Sequence, residues 1–330
     1  VLDGGAANHL AAEALLRCRR GDVEGGLVAY GRILRDGGAN AVPVAVHARM
    51  LATAGLPEVA ERLVILGFRH GADMSIHGAF GDAADRYELD KALDDYRGLF
   101  AGGRVGSLMV ERYLALLVRA GDYDEVGRIL DPAFIRCHDL TDGSDGGTTV
   151  DPGGVARALL DRLDTGTYHE RDQAILSSTR IDHVHRIAEP AITDLMTAVR
   201  ERVDRYRAEL GAHAHAAMGA GPARYRLDTW SVISHDGGHA LPHKHHRGWI
   251  TCVFYAAVPE VALAPGEDQG ALYIGRYDFI PAEAPGWRML RFAPVPGRLV
   301  MMPSYALHWT RPLEQPGLRI AVAIDVCAEP

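Results

Sequence analysis

The sequence predicts an α+β chain: an all-α, helical-repeat domain followed by a β-sandwich or jelly roll with supporting helices. Three observations carry that expectation. Apolar residues keep helical spacing through the first 130 positions, strand spacing takes over after Gly221, and histidines crowd the start of the second part. The length of 330 residues suits two domains of roughly 150 each. Hydrophobic residues make up 48% and charged residues 24%, which excludes disordered and collagen-like chains. The net charge of −8 gives no global field for gathering nucleic acid or an anionic membrane. No apolar run approaches the roughly 20 residues of a membrane span.

In the first part, Val23, Leu27, Tyr30 and Leu34 form one apolar stripe, and Leu63, Leu66 and Phe68 continue another after Pro57. Similar turns separate such helices: Arg20-Gly21-Asp22, Ala54-Gly55-Leu56 and Ala120-Gly121-Asp122. Gly21 and Gly55 stand 34 positions apart, and Gly121 lies close to two further periods, the spacing of tetratricopeptide-like helix pairs. The intermediate unit, around Tyr87 to Tyr96, lacks the turn glycine. A loop composition from His138 to Gly154 marks a boundary. The expected organisation is a helical domain over 1–135, a linker over 136–165 and a β domain over 166–330. Pro190 opens a long helix with Ile192, Leu195, Met196, Val199, Val203 and Tyr206 on its apolar side, ending near Gly211. Short β-rich runs follow at 224–234, 248–258, 271–274, 289–292, 298–302 and 318–326.

Four cysteines, Cys18, Cys137, Cys252 and Cys327, are far apart and form no CxxC pair. That argues against a zinc ribbon and a disulfide scaffold, and a reducing cytoplasm is the simplest home. The N-terminus shows no basic segment leading into an apolar one, so no secretory leader is expected. Of 16 histidines, five fall between His235 and His246. Gly237, Gly238 and Pro242 exclude a continuous helix there. In an extended segment His243 and His245 point the same way and His246 points away. Two adjacent imidazoles suit Fe, Zn, Cu or Ni alike. His308, beginning a strand after the bend at Pro303-Ser304, is the candidate partner from elsewhere in the chain. Arg319 opens the last strand and aims into the same barrel, where a guanidinium grips a carboxylate bidentately. An isolated HxH is usually a solvated loop; the distal His308 and Arg319 set this one apart. His183 and His185 form a second HxH with no distal partner and read as structural or lid residues.

From Trp230 to Val326 the sequence resembles the 2-oxoglutarate/Fe(II)-dependent oxygenases of the prolyl-hydroxylase-like class. The blocks that carry the resemblance are Pro242-His243-Lys244-His245, 248–255, 270–275, 296–304 with His308, and 319–326. It implies a double-stranded β-helix of the jelly-roll or cupin-like kind, with Fe(II) and 2-oxoglutarate as cofactors. By it, His243 and His308 ligate the metal and Arg319 binds the distal carboxylate of 2-oxoglutarate. The resemblance further implies hydroxylation of an unactivated C–H, with O2 consumed and succinate and CO2 released. Two positions depart from the common pattern. His245 stands where relatives carry Asp or Glu; either it ligates, leaving the site one negative charge poorer, or water fills its place. Ala321 stands where many relatives place a hydroxyl, so Thr251, Tyr255 or Ser304 are the candidate substitutes. Trp249, Trp309, Arg311 and His239 are candidate substrate contacts.

The expected substrate is an amino acid, a peptide, or a protein- or carrier-bound group, recruited by the helical domain; nucleic acid and membrane are not expected partners. Two rival readings stay open. One is a three-histidine cupin-type dioxygenase that uses no 2-oxoglutarate. The other is a non-catalytic repeat adaptor whose barrel is degenerate, which the missing carboxylate favours.

Overall fold

The computed structural model describes residues 4–329, apart from 39–43, 71–88, 104, 145, 173, 211–214, 265, 276, 283 and 285–288. The chain divides into two compact units, Val1–Asp122 and Tyr123–Pro330.

The first unit is helical. Its described helices are α1 (Gly4–Arg19), α2 (Val23–Gly37), α3 (Val44–Thr53), α4 (Pro57–Arg69), α5 (Leu89–Ala101) and α6 (Ser107–Ala120). Each turn has a local cause. Gly21, Gly55 and Gly121 adopt φ of 94°, 81° and 72°, the left-handed region in which a Cβ is costly. Asp22 caps α2 by accepting a hydrogen bond from the Gly25 amide at 3.1 Å. Pro57 opens α4, where its missing N–H costs nothing. Tyr30, Leu51, Leu63, Tyr96, Tyr113 and Leu117 are fully buried in the unit's core. Of the unit lacking a turn glycine, Tyr87 lies outside the described residues and Tyr96 sits on α5.

The second unit opens with α7 (Tyr123–Ile129) and is built on antiparallel sheet. Its other helices are α8 (Pro152–Leu160) and α9 (Pro190–Leu210), the latter burying Ile192, Leu195, Val199, Val203 and Tyr206. The strands are β1 (Arg136–Asp139), β2 (Thr167–Asp172), β3 (Ile175–Asp182), β4 (Tyr225–Ala240), β5 (Ile250–Ala257), β6 (Leu272–Gly275), β7 (Leu290–Phe292), β8 (Arg298–Pro303), β9 (Leu307–Thr310) and β10 (Arg319–Ala328). Seven pair in the order β1-β8-β5-β10-β4-β3-β2, and three in the order β7-β6-β9.

The segment 136–165, expected as a linker, is part of this unit. It supplies the edge strand β1, paired with β8, and helix α8, packed on β5 and α9. Strand β4 also runs further than its apolar pattern suggests. Pairing with β3 breaks at an irregularity after Ser234, leaves the Gly237-Gly238 stretch unpaired and resumes at His239 and Ala240. A Cβ on Gly238 would stand 2.6 Å from the Ser177 carbonyl, so glycine is what lets the strands close there.

On β10 the two-residue period separates two faces. Ile320, Val322, Ile324 and Val326 are buried on one, and Arg319, Ala321, Ala323 and Asp325 share the other. The register places Trp230, Val232 and Ser234 of β4 on one side of this second row, and Thr251, Val253 and Tyr255 of β5 on the other. That three-strand floor positions the site.

Candidate metal centre

A cavity opens over the floor, lined by Trp230 and Val232 of β4, Val253 and Tyr255 of β5 and Arg319, Ala321 and Ala323 of β10. The alanines supply the space, since a larger side chain at either position would fill it. Across from them, Leu272 of β6 and His308 and Thr310 of β9 form the opposite wall, and His243 and His245 close one end.

Backbone pairing holds the histidines. His243 exchanges both amide–carbonyl hydrogen bonds with His308, each 2.9 Å, and the His245 amide donates to the Ser304 carbonyl at 3.0 Å. The segment is therefore extended, and alternation puts His243 and His245 on one side. Their ring centroids lie 5.3 Å apart, and 4.3 and 5.0 Å from that of His308. One ligating nitrogen from each of the three falls within 4.8 Å of the others. Among the described residues this is the group of side chains placed so that it could hold a metal ion.

The outer nitrogens fix the tautomers. His243 Nδ1 lies 2.7 Å from the Leu241 carbonyl, and His308 Nδ1 lies 2.9 Å from the Ala306 carbonyl. A carbonyl only accepts, so each Nδ1 carries the proton and Nε2 keeps its lone pair. Burial lowers the His243 pKa to about 4, with His245 adding to the shift. Burial first, then the two neighbouring imidazoles, places His308 well below the usual histidine range. Both rings are thus neutral at pH 7, as metal ligation requires.

At the other end of the cavity Arg319 is 3% exposed. It donates from Nη1 to the Gly270 carbonyl at 3.1 Å and from Nη2 to the Ser234 hydroxyl at 2.9 Å. Among the described residues no carboxylate pairs with it, and burial lowers its pKa from the ordinary arginine value. The Tyr255 hydroxyl is buried with no hydrogen-bond partner among the described residues, and burial pushes its pKa up to about 12. An uncompensated guanidinium beside an unpartnered phenol calls for an anion with oxygen acceptors. The residues present therefore fit both a divalent metal at the imidazoles and a carboxylate ligand at Arg319.

Thr251 and Ser304 lie elsewhere. Their hydroxyls bond to each other at 2.9 Å, and Thr251 donates to Asp325 at 2.8 Å, behind His245. Neither lines the cavity. The four candidate substrate contacts also lie off its lining. Trp249 donates to the Met218 carbonyl and packs on Tyr206, Trp309 stacks on Tyr273, Arg311 pairs with Asp268, and His239 is half-buried with Nδ1 2.8 Å from the Gly237 carbonyl. Conversely, three residues of this site escaped the sequence reading. Trp230 stacks on His245 with ring centroids 5.3 Å apart, Ser234 anchors Arg319, and Asp325 bonds to His245. Period-two alternation within β4 and β10 is the signal that could have found them.

No curated protein matches this sequence. Solved structures to which this chain is similar include a Pseudomonas putida prolyl-4-hydroxylase, at 13% identity and TM-score 0.41 over 64% of this chain and 99% of that one. The viral collagen prolyl hydroxylase of Paramecium bursaria Chlorella virus-1, in its 2-oxoglutarate complex, reaches 13% and 0.39 over 61% and 99%. HygX from Streptomyces hygroscopicus, with nickel and 2-oxoglutarate, reaches 11% and 0.38 over 63% and 86%. Residues 228–325 match the family model described as "Putative 2OG-Fe(II) oxygenase". The stretch that holds the three histidines and Arg319 thus carries the pattern of the Fe(II)- and 2-oxoglutarate-dependent oxygenases.

Proposed function

We propose that this protein is an Fe(II)- and 2-oxoglutarate-dependent hydroxylase acting on an unactivated C–H bond. The observation that carries the reading is the buried, uncompensated Arg319 in one cavity with three histidines. Bound at those histidines, Fe(II) with 2-oxoglutarate supplies the oxidation: substrate C–H, O2 and 2-oxoglutarate give C–OH, succinate and CO2. His243, His245 and His308 would hold the metal through Nε2. Arg319 would bind the distal carboxylate, with the Tyr255 hydroxyl supplying the hydrogen bond that Ala321 lacks. Val253, Ala321, Ala323 and Leu272 keep the space between them apolar and exclude water. The third imidazole favours the rival three-histidine dioxygenase that needs no 2-oxoglutarate, whereas Arg319 favours the cosubstrate.

Anaerobic titration with Fe(II) and then 2-oxoglutarate separates the two. A weak visible charge-transfer band, absent in His308→Ala, is the expected result. Fe(II) binding that 2-oxoglutarate leaves unchanged would support the rival dioxygenase, and no metal binding would support the adaptor.

We infer further that the helical unit recruits the substrate as an acidic peptide segment. A groove of about 420 Å³ runs along α2, α4 and α5 with Leu27, Val28, Ile65 and Leu66 in its floor. Four cations line it against two acids. Glu24 pairs with Arg62 and Asp95 with Arg69, leaving Arg35 and Lys91 without an ion pair among the described residues. In a chain of net charge −8 this groove is a local site for anions. A fluorescent Glu/Leu-rich peptide should bind, and the Arg35→Glu/Lys91→Glu double variant should lose it; unchanged binding removes the groove from the reading.

A further inference from the structure

The third corner of the triad lacks the usual carboxylate, yet a carboxylate stands directly behind it. His245 Nδ1 lies 2.6 Å from Asp325 Oδ1, with both side chains less than a tenth exposed. His243 and His308, by contrast, spend their Nδ1 protons on neutral backbone carbonyls. Asp325 faces Thr251 across the β5–β10 register, and the Thr251 hydroxyl donates to the same Oδ1 at 2.8 Å. Ser304 buttresses Thr251 at 2.9 Å. Gly248 passes close over this group. A Cβ there would come 2.5 Å from Ser304 Oγ and 3.3 Å from Asp325 Cγ, so the backbone itself shields the network from solvent. Among the described residues no lysine or arginine pairs with Asp325, so its hydrogen bonds run to His245 and Thr251.

We propose that Asp325 is the carboxylate of this metal site moved one imidazole outward, fixing the tautomer of His245 and lending it negative charge. The inference rests on the metal-binding reading above. A carboxylate that accepts from a ligand's outer nitrogen orients the ring and raises its basicity. It makes His245 unlike the other two ligands: a charged corner in an otherwise neutral set. Asp325 is a positioning residue, since it touches neither metal nor substrate.

The test is a Co(II) titration of the full chain, reading affinity together with the visible ligand-field spectrum. Asp325→Asn keeps the size of the side chain and removes the charge. It should weaken Co(II) binding roughly 10- to 100-fold and shift the spectrum. In a His245→Ala background the same change should cost almost nothing more, because the effect travels through that ring. Wild-type affinity and spectrum in Asp325→Asn would overturn the proposal, as would an equal loss with and without His245. If Asp325→Asn does not fold, Thr251→Val, which loosens Asp325, carries the test. It should bind Co(II) several-fold more weakly, and wild-type binding overturns the proposal. Absence of Co(II) and Fe(II) binding in the wild-type chain is a distinct result that removes the metal reading and this inference with it.

Discussion

Arg112 in the helical unit, its side chain 10% exposed, and the buried Arg319 in the sheet unit are held in opposite ways. In the helical unit Arg112 of α6 pairs with Glu61 of α4, while Tyr96 donates to Glu61 at 3.1 Å and accepts from Arg112 at 3.2 Å. Burial works against the Arg112 charge, but Tyr96 and Glu61 overcome it and its pKa is raised. In the sheet unit, among the described residues, Arg319 hydrogen-bonds only to a carbonyl and a hydroxyl, and its pKa is lowered by burial. The first charge is complete within the fold and acts as structure. The second is incomplete, and an incomplete buried charge is what a binding site for an anion looks like before the anion arrives.

Paired substitutions break or sharpen that contrast. Glu61→Ala leaves Arg112 buried and uncompensated, so it should destabilise the helical unit by about 3–5 kcal/mol. Arg319→Met should do the reverse. It removes a charge with no counter-ion while keeping much of the stem, so the melting temperature should hold or rise. Binding of 2-oxoglutarate should fall, by about 2–5 kcal/mol or roughly 30- to several-thousandfold. Thermal melting and cosubstrate titration of both variants decide the matter. Equal losses of stability would make Arg319 another structural arginine.

The same contrast explains what the sequence made legible. His243 and His245 could be placed on one side because alternation is local, and Pro242 and the neighbouring glycines exclude a helix. His308 and Arg319 could be named as candidates from their places at strand starts, but their approach to the pair and their roles came from the family resemblance, since nothing local links positions 63 to 76 residues apart. Asp325 shares a face with Arg319 by simple period two, but its bond to His245 spans 80 residues and depends on the β5–β10 register. The polar runs of β1 to β3 hid three strands whose pairing comes from tertiary context. Trp249 and Trp309 follow the candidate ligands His245 and His308 closely in sequence and still lie off the cavity lining. Both are occupied by packing: Trp249 on Tyr206, Trp309 on Tyr273.

The finest test of the contrast concerns Tyr255. A buried hydroxyl without a partner normally costs stability, on the order of 1–3 kcal/mol, and structural tyrosines avoid that state. Tyr305, equally buried in the same unit, donates to the Ile129 carbonyl at 2.8 Å. Tyr255 is left unpartnered beside Arg319, in the cavity. If it waits for the cosubstrate, Tyr255→Phe should leave the melting temperature of the ligand-free protein unchanged or slightly higher. It should also weaken 2-oxoglutarate by about 1 kcal/mol, roughly fivefold, while leaving Co(II) affinity alone. The matching change Tyr305→Phe strands a buried carbonyl and should lower the melting temperature with no effect on cosubstrate. The measurement is the same pair of titrations with melting curves. A destabilised Tyr255→Phe with unaltered 2-oxoglutarate binding would show the hydroxyl to be structural, and would leave Arg319 to bind the carboxylate unaided.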